Sequence, residues 1–347
     1  MAGSKPFVSI IVLTYNSQRH IRSCLTALLK TEYEDFEVIV VDNASTDETI
    51  EIVKKEFPKT KLFLNKANLG YAAGNNLAVE KAKGDLVAFI NPDTTVSPDW
   101  LRPLVSAIEP AEIAACQPKI LLSQKKSLIN GTGKTTNLLG FDWLTDYQKK
   151  DKEMKVREIT SFSGSAVLTK KEIFQKLSGF DEDFFMYGED SDLSWRMRLS
   201  GFKILFTPES VVYHEYKYKP EEHIQKASKK FYLLERNRIV TLLKNYSLKT
   251  LILLLPAFLF MEAGMNIYFL SRRWWFGKIK GYFWILANRK KIMVKRKIVQ
   301  NSRKLSDKKI TESFIWTIDF KEFANPLLSN IANPALFLYG KIAQKLI

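Results

Sequence analysis

VSIIVLTYN, Val8 to Asn16, and VIVVDNAS, Val38 to Ser45, decide the fold. Each is a short run rich in β-branched apolar residues that stops abruptly in polar ones, the pattern of a parallel strand buried on both faces. Lys61 to Leu64 and Leu86 to Ile90 continue the series. Helical spacing fills the gaps. Ile21, Cys24, Leu25, Leu28 and Leu29 recur on one helix face, and a capping box of Ser45 and Glu48 opens a helix through Ile50 and Val53 to Phe57. The alternation is βαβαβαβ, an α/β sheet flanked by helices. In such sheets ligands bind beyond the carboxyl ends of the strands, so the residues directly after each run carry the functional reading.

Further along, Ser97, Pro98 and Asp99 start a helix that runs to about Glu109. Ile113 to Glu158, with Gly131, Gly133 and Gly140, reads as a loopier insertion. Regularity returns with a strand around Ile159 to Leu168 and a second capping box, Thr169 with Glu172. An acidic cluster from Asp181 to Asp192 follows, then a helix from Glu189 to Leu199 and short strands at Lys203 to Phe206 and Val211 to Tyr213. After Pro220 the composition changes, dividing the chain into an α/β domain, 1–220, and a basic, aromatic-rich helical region, 221–347.

A chain of 347 residues accommodates both parts, since α/β domains of about 200 to 250 residues are ordinary. Two cysteines, Cys24 and Cys116, far apart and without CxxC spacing, give neither a disulfide framework nor a zinc site. Lys plus Arg number 53 against 37 Asp plus Glu, and the net charge of +16 favours an anionic partner: nucleotide phosphates, an acidic lipid surface or nucleic acid. No nucleic-acid reading module accompanies the charge, so nucleic acid is set aside. The first apolar run, Val8 to Leu13, is too short for a signal peptide, which places the front of the chain in the cytoplasm.

The strand ends supply the candidate chemistry. Thr14, Tyr15 and Asn16 close the first run and Asp42 the second. A carboxylate there can accept the N3 hydrogen of uracil or thymine while Tyr15 stacks on the base; the plainer alternative is that Asp42 and Ser45 cap the next helix. Asn68, Gly70 and Asn75 belong to a Gly- and Asn-rich turn into a helix, where backbone amides can approach a ribose or phosphate, although a plain loop explains the same residues. Asn91, Pro92 and Asp93 follow the fourth strand: one carboxylate for Mg²⁺ or Mn²⁺, with phosphates completing the shell, or else a turn tripeptide. In the acidic cluster, Glu189 and Asp190 open an amphipathic helix, where a carboxylate stays ionised and can take a proton from an incoming hydroxyl. Asp190 is the expected general base, with Glu189 supporting the acceptor or the base, whereas Asp192 and Arg196, four apart, form a structural pair. His214, at the end of the last strand, reads as a structural residue or as a metal or diphosphate ligand; His20 and His223 have no such context.

These pieces, in this order over Val8 to His214, resemble the family 2 glycosyltransferases of the GT-A fold, a Rossmann-like nucleotide-binding mixed sheet, and in particular their rhamnosyltransferase-like branch. The resemblance implies nucleotide binding by Thr14, Tyr15, Asn16 and Asp42, a metal motif at Asn91 to Asp93, and a Glu189–Asp190 pair whose second member is the base. It implies a UDP- or dTDP-sugar donor, dTDP-rhamnose among them, and inverting transfer to a glycan or polyprenyl-linked acceptor in cell-surface polysaccharide or glycoprotein glycan assembly. A catalytically inactive scaffold in a membrane glycan-assembly complex is the alternative. Two departures stand out. The metal motif keeps only its second acid, Asp93, and His214 is followed by Glu215, Tyr216, Lys217, Tyr218 and Lys219 rather than Gly and Ser.

Leu248 to Leu270 is strongly apolar, but Lys249, Glu262 and Asn266 interrupt it and Pro256 sits in its middle, leaving an apolar core of 11 residues, Leu251 to Met261. A spanning helix wants about 20. An interfacial or re-entrant hairpin is therefore expected in preference to one transmembrane helix. Ser271 to Ile310 then carries 14 Lys or Arg against one acid, Asp307, interleaved with Trp274, Trp275, Phe276, Tyr282, Phe283 and Trp284. Such a stretch suits an anionic membrane surface on the cytoplasmic side.

Overall fold

A computed structural model of the chain describes residues 5–216, 224–271, 275–319 and 326–347. Lys217, Tyr218, Lys219, Pro220, His223 and Trp274, named above, lie outside the described residues. The elements are, in order, β1 Val8–Thr14, α1 Ile21–Leu28, β2 Phe36–Asp42, α2 Thr49–Glu56, β3 Lys61–Leu64, α3 Gly70–Lys81, β4 Leu86–Ile90, β5 Thr94–Val96 and α4 Leu101–Ile108. Then come β6 Ile113–Leu122, β7 Lys125–Gly131, β8 Lys134–Thr136, β9 Asp142–Leu144, β10 Arg157–Glu158, β11 Ala166–Lys170, α5 Lys171–Lys176, α6 Glu189–Leu199 and β12 Lys203–His214. Helices complete the chain: α7 Ile224–Asn245, α8 Leu248–Ser271, α9 Trp275–Ala287, α10 Arg289–Ser302, α11 Asp307–Thr311 and α12 Asn333–Leu346. Two compact units are formed: Met1–Lys134 with Leu144–Met197 and Phe202–Lys217, and Thr135–Trp143 with Arg198–Gly201 and Tyr218–Ile347.

The first unit is built on one sheet, ordered β10-β12-β6-β11-β4-β1-β2-β3, with β5 added on β12 and β7 on β6. β4, β1, β2 and β3 run parallel, while β11 is antiparallel to both β4 and β6. Both faces are covered. Val8, Ile10 and Val12 of β1 pack with Cys24, Leu25 and Leu28 of α1 and with Trp100 and Leu104, whereas Ile11 points the other way, towards Phe89, Phe162, Phe174, Leu193 and Met197. Alternate residues thus serve opposite cores, which is why these strands read as continuous apolar runs. Burying each Ile or Leu side chain contributes about 1.5–3 kcal/mol.

The parallel strands and the helices between them match the sequence expectations; several local readings do not. The capping boxes fail. α2 begins only at Thr49, and Ser45 is bonded to Asp42 instead. Thr169 lies inside β11, where its hydroxyl donates to the Val87 carbonyl. The supposed loopy insertion contains β6, ten residues buried almost throughout and paired to both β11 and β12. Pro118 disguises it, since proline cannot donate to a ladder in a central strand. The structure accommodates it with an irregularity in the partner, whose register slips between Thr207 and Val211 opposite Pro118 and Lys119. The two short strands expected at Lys203–Phe206 and Val211–Tyr213 are accordingly one, β12, carrying that irregularity. The strand expected from Ile159 starts only at Ala166, because residues before it are drawn out of the ladder towards Lys134 and Asp190.

In the second unit α8 is one uninterrupted helix of 24 residues with Pro256 inside it, not a re-entrant hairpin. Over 23 of those residues it is long and apolar enough to cross a membrane by length and composition. Glu262 does not break it, because the carboxylate is buried against α7 and α9: Arg238 donates to Glu235 at 2.9 Å and to Glu262, and Lys278 lies 3.0 Å from each acid. Tyr282 donates a further hydrogen bond to Glu262. Four charges thus close a neutral ring inside an otherwise apolar helical cluster.

Candidate active site

The carboxyl ends of β1, β2, β4 and β12 share one edge of the sheet with the amino end of antiparallel β11, whose Ala166 pairs with Ile90. At the β1–β2 corner, Thr14 Oγ1 donates to Asp42 Oδ2 at 2.8 Å, and Ser45 donates its amide to Oδ1 at 2.7 Å and its hydroxyl to Oδ2 at 2.5 Å. Asp42 is 1% exposed. A buried carboxylate must be satisfied by nearby donors, and Thr14 and Ser45 do so. This corrects both readings of Asp42: it neither offers an open carboxylate to a base nor caps α2, but closes a local turn. Asn16, in the left-handed region at φ 50°, ties the corner together by accepting from the Thr46 amide at 2.8 Å. Tyr15 between them is 49% exposed and is the aromatic face this corner presents.

At the start of α3, Asn68 Oδ1 accepts from the Gly70 amide at 2.9 Å. Gly70 has φ +78°, and a Cβ there would stand 2.3 Å from the Phe185 carbonyl oxygen. The Ala72 amide donates to that same oxygen at 3.2 Å. Only glycine fits. Asn75 is corrected: it is 1% exposed and donates to the Tyr71 carbonyl at 3.0 Å, one turn back on the buried side of the helix, so it cannot reach a ligand at the edge.

After β4, Asn91 donates its amide to Ser165 at 3.0 Å and accepts from Thr94 at 3.1 Å, a turn that projects Asp93. His214, at the end of β12 beside Thr94 on β5, places Nε2 3.3 Å from Asp93 Oδ1. Its Nδ1 is 3.0 Å from Asn130 Oδ1 on β7. With Nδ1 donating to Asn130, Nε2 of a neutral imidazole is an acceptor. It then faces Asp93 Oδ1, itself buried and without a well-formed hydrogen bond. Two acceptors at this distance require a cation between or beside them, either a proton on the ring or a metal ion. The donor set therefore fits Mg²⁺ or Mn²⁺ held by Asp93 and His214, with phosphate oxygens and water supplying the rest. Among the described residues no group of three or more His, Cys, Asp or Glu forms a fuller cage. Burial alone would push the Asp93 carboxyl up, but the His214 ring, helped by His20, outweighs it and holds the group below the usual carboxylate range.

Asp190, 6% exposed in the first turn of α6, is held from three directions. Oδ1 accepts from Lys134 Nζ at 2.7 Å and from the Ser191 amide at 2.8 Å, and Oδ2 accepts from the Gly164 amide at 2.9 Å. Gly164 precedes Ser165, the residue bonded to Asn91, so two short links join the Asp190 carboxylate to the turn that carries Asp93. Separate stretches of chain thus bring Glu189, Asp190, Asp93 and His214 to the same edge. Glu189 is buried beside Asp190, and burial together with these two acids pushes the Tyr71 phenol well up. Tyr71 donates to the Gly164 carbonyl at 2.6 Å, which fixes the strap beside the Asp190 carboxylate. Asp192 and Arg196 form the expected structural pair at 2.8 Å, with Arg196 also donating to the Gly179 carbonyl.

Sequence reading missed Lys134, Asn130 and Gly164. Lys134 is one of many lysines in a stretch read as loop, and Asn130 sits beside the glycines that suggested it. Long-range pairing alone assigns them; β7 packs on β6, and Lys134 bridges to Ser161.

The family described as glycosyl transferase family 2 matches residues 9–178, and the one described as N-terminal domain of galactosyltransferase matches residues 149–221. An N-acetylglucosaminyl-diphospho-decaprenol L-rhamnosyltransferase of Mycobacterium tuberculosis is 27% identical over 66% of this chain and 84% of its own. The O-antigen biosynthesis protein RfbC of Myxococcus xanthus is 29% identical over 60% of this chain, a match that spans only 17% of that longer protein. Among solved structures, GalNAc-T7 with UDP, GalNAc and Mn²⁺ superposes with a TM-score of 0.58 at 15% identity, over 74% of this chain and 51% of that one. The mixed sheet with its flanking helices is the GT-A fold.

Proposed function

We propose, since this chain belongs to glycosyl transferase family 2, that it moves a sugar from a nucleoside diphosphate donor to a lipid-linked or glycan acceptor, with inversion at the anomeric carbon. The observation that carries the reading is the meeting of Asp190 with the Asp93–His214 pair at one sheet edge. Asp190 is the general base for the acceptor hydroxyl, and Glu189 supports it. Asp93 and His214 hold the divalent metal, which when bound neutralises the departing diphosphate. Tyr15 stacks on the base of the nucleotide, while Thr14, Asn16 and Asp42 shape the corner beneath it. Asn68 and Gly70 hold the turn that lets backbone approach the donor, and Asn91 sets the metal turn.

L-rhamnose and a decaprenyl diphosphate acceptor are what the name of the Mycobacterium tuberculosis relative gives. A dTDP- or UDP-sugar and a polyprenyl-linked acceptor are the corresponding choices here. Attachment to the cytoplasmic face of a membrane suits such an acceptor. Leu248, Ile252, Leu255 and Leu259 form an exposed row at helical spacing along α8, and Phe276, Phe283 and Leu286 do the same on α9. The ring that joins Glu262 to Arg238, Glu235 and Lys278 favours α8 lying in the lipid surface with α7 and α9 over crossing alone. The deciding experiment is a screen of UDP-, dTDP- and GDP-sugars with Mn²⁺ and Mg²⁺, following the released nucleoside diphosphate. A dTDP- or UDP-sugar should be cleaved; release from none of them, with nucleotide still bound, returns the scaffold reading.

A further inference from the structure

We propose that Lys134 is the positioning residue for the base: it occupies Asp190 Oδ1 and leaves Oδ2 as the atom that receives the acceptor's proton. The inference rests on Asp190 being the general base.

Lys134 and Asp190 have side-chain exposures of 13% and 9%, so the pair is largely shielded from water. Lys134 is delivered by backbone rather than by chance contact. Gly133, at φ +113°, turns the chain into β8, the Lys134 amide donates to the Ser161 carbonyl at 2.8 Å, and the Thr160 hydroxyl donates to the Lys134 carbonyl at 2.5 Å. Its ammonium reaches Asp190 Oδ1 at 2.7 Å and Ser191 Oγ at 3.1 Å. Oδ1 also takes the Ser191 amide at 2.8 Å, with the Ser191 hydroxyl as a longer third donor at 3.4 Å, so its in-plane lone pairs are used. Oδ2 has one donor, the Gly164 amide, and so keeps one lone pair. A proton arriving from an acceptor therefore goes to Oδ2. In that step the acceptor O–H bond breaks with its proton passing to Oδ2, the acceptor oxygen bonds the anomeric carbon, and the bond from that carbon to the diphosphate breaks with its electron pair leaving on the diphosphate.

The charged neighbours leave that role to Lys134. Glu189 lies on the same helix, Tyr71 comes from α3 with its phenol pushed up and so neutral, and Asp192 is paired with Arg196. Lys134 is bonded directly to the base and fixes which of its oxygens is left for the acceptor.

The test follows sugar transfer by the full chain, with kcat and the donor KM measured separately. Lys134→Met and Lys134→Gln should lower kcat by about 10²-fold with the donor KM little changed, and Lys134→Arg should recover most of the loss. Wild-type kcat in folded Lys134→Gln, checked by circular dichroism, overturns the proposal, and so does a loss that Lys134→Arg does not recover. If Asp190→Asn transfers sugar at the wild-type rate, the base assignment itself fails, a result separate from the behaviour of the Lys134 variants.

Discussion

His214 Nε2 stands 3.3 Å from Asp93 Oδ1 although 121 residues separate them along the chain, because β12 returns antiparallel to β5 and sets its last residue opposite Thr94. The contact is a product of strand pairing, and its chemistry depends on Asn130 behind the ring.

Removing that support should weaken metal binding without unfolding the sheet. Asn130→Ala frees Nδ1 to take either tautomer, and the loss of such an orienting partner lowers metal affinity about 10–100-fold. Mn²⁺ titration followed by electron paramagnetic resonance, in the presence of UDP, measures it. Asp93→Ala should lose more; equal Mn²⁺ affinity in wild type and Asp93→Ala would remove Asp93 from the metal site.

Asp190→Asn keeps the shape of the side chain and removes its basicity. Sugar transfer should fall by about 10²–10⁴-fold while UDP affinity, read by calorimetry, changes little.

Gly70→Ala should be costly out of proportion to one methyl group. The new Cβ would meet the Phe185 carbonyl at 2.3 Å in a left-handed backbone, so about 1–3 kcal/mol of stability is lost through strain at the turn. Urea unfolding quantifies it, and a variant as stable as wild type would show that the Phe185 strap moves freely.

The helical unit should lose stability in acid. Burial alone would raise the Glu235 carboxyl, but Arg238 and Lys278 dominate and bring it down to about 2. The contribution is therefore complete above the ordinary glutamate value of about 4.3 and fades as pH falls from there. Urea midpoints measured across this range should decline, and Glu235→Gln should flatten the decline.

Vesicle flotation tests the exposed apolar rows of α8 and α9. Wild type should float with anionic vesicles and Ile252→Asp with Leu259→Asp should not, since both positions are exposed on α8. Equal flotation of the double variant would move the contact elsewhere.

The parallel strands were legible because Val8 to Leu13 and Val38 to Val41 are buried on both faces and write that burial directly as β-branched runs. Asp93, Glu189, Asp190 and His214 could be singled out as candidates because polar residues at strand ends and helix starts stand out against such runs. β6 was not, since Pro118 argues locally against a strand and only its partner's irregularity makes room for it. Nor was the closure of Asp42 by Thr14: two residues 28 apart meet only when β1 and β2 are in register. Lys134 carries no local signal at all, because what sets it apart from the other lysines is a bridge to Ser161.

The four-charge ring of the helical unit has a practical consequence for anyone shortening this protein. A cut between α8 and α9 removes Lys278 and leaves Glu235 and Glu262 sharing a single arginine in an apolar interior. Such a truncation should come out of cells aggregated or degraded. The helices joined by the ring are best kept or discarded together.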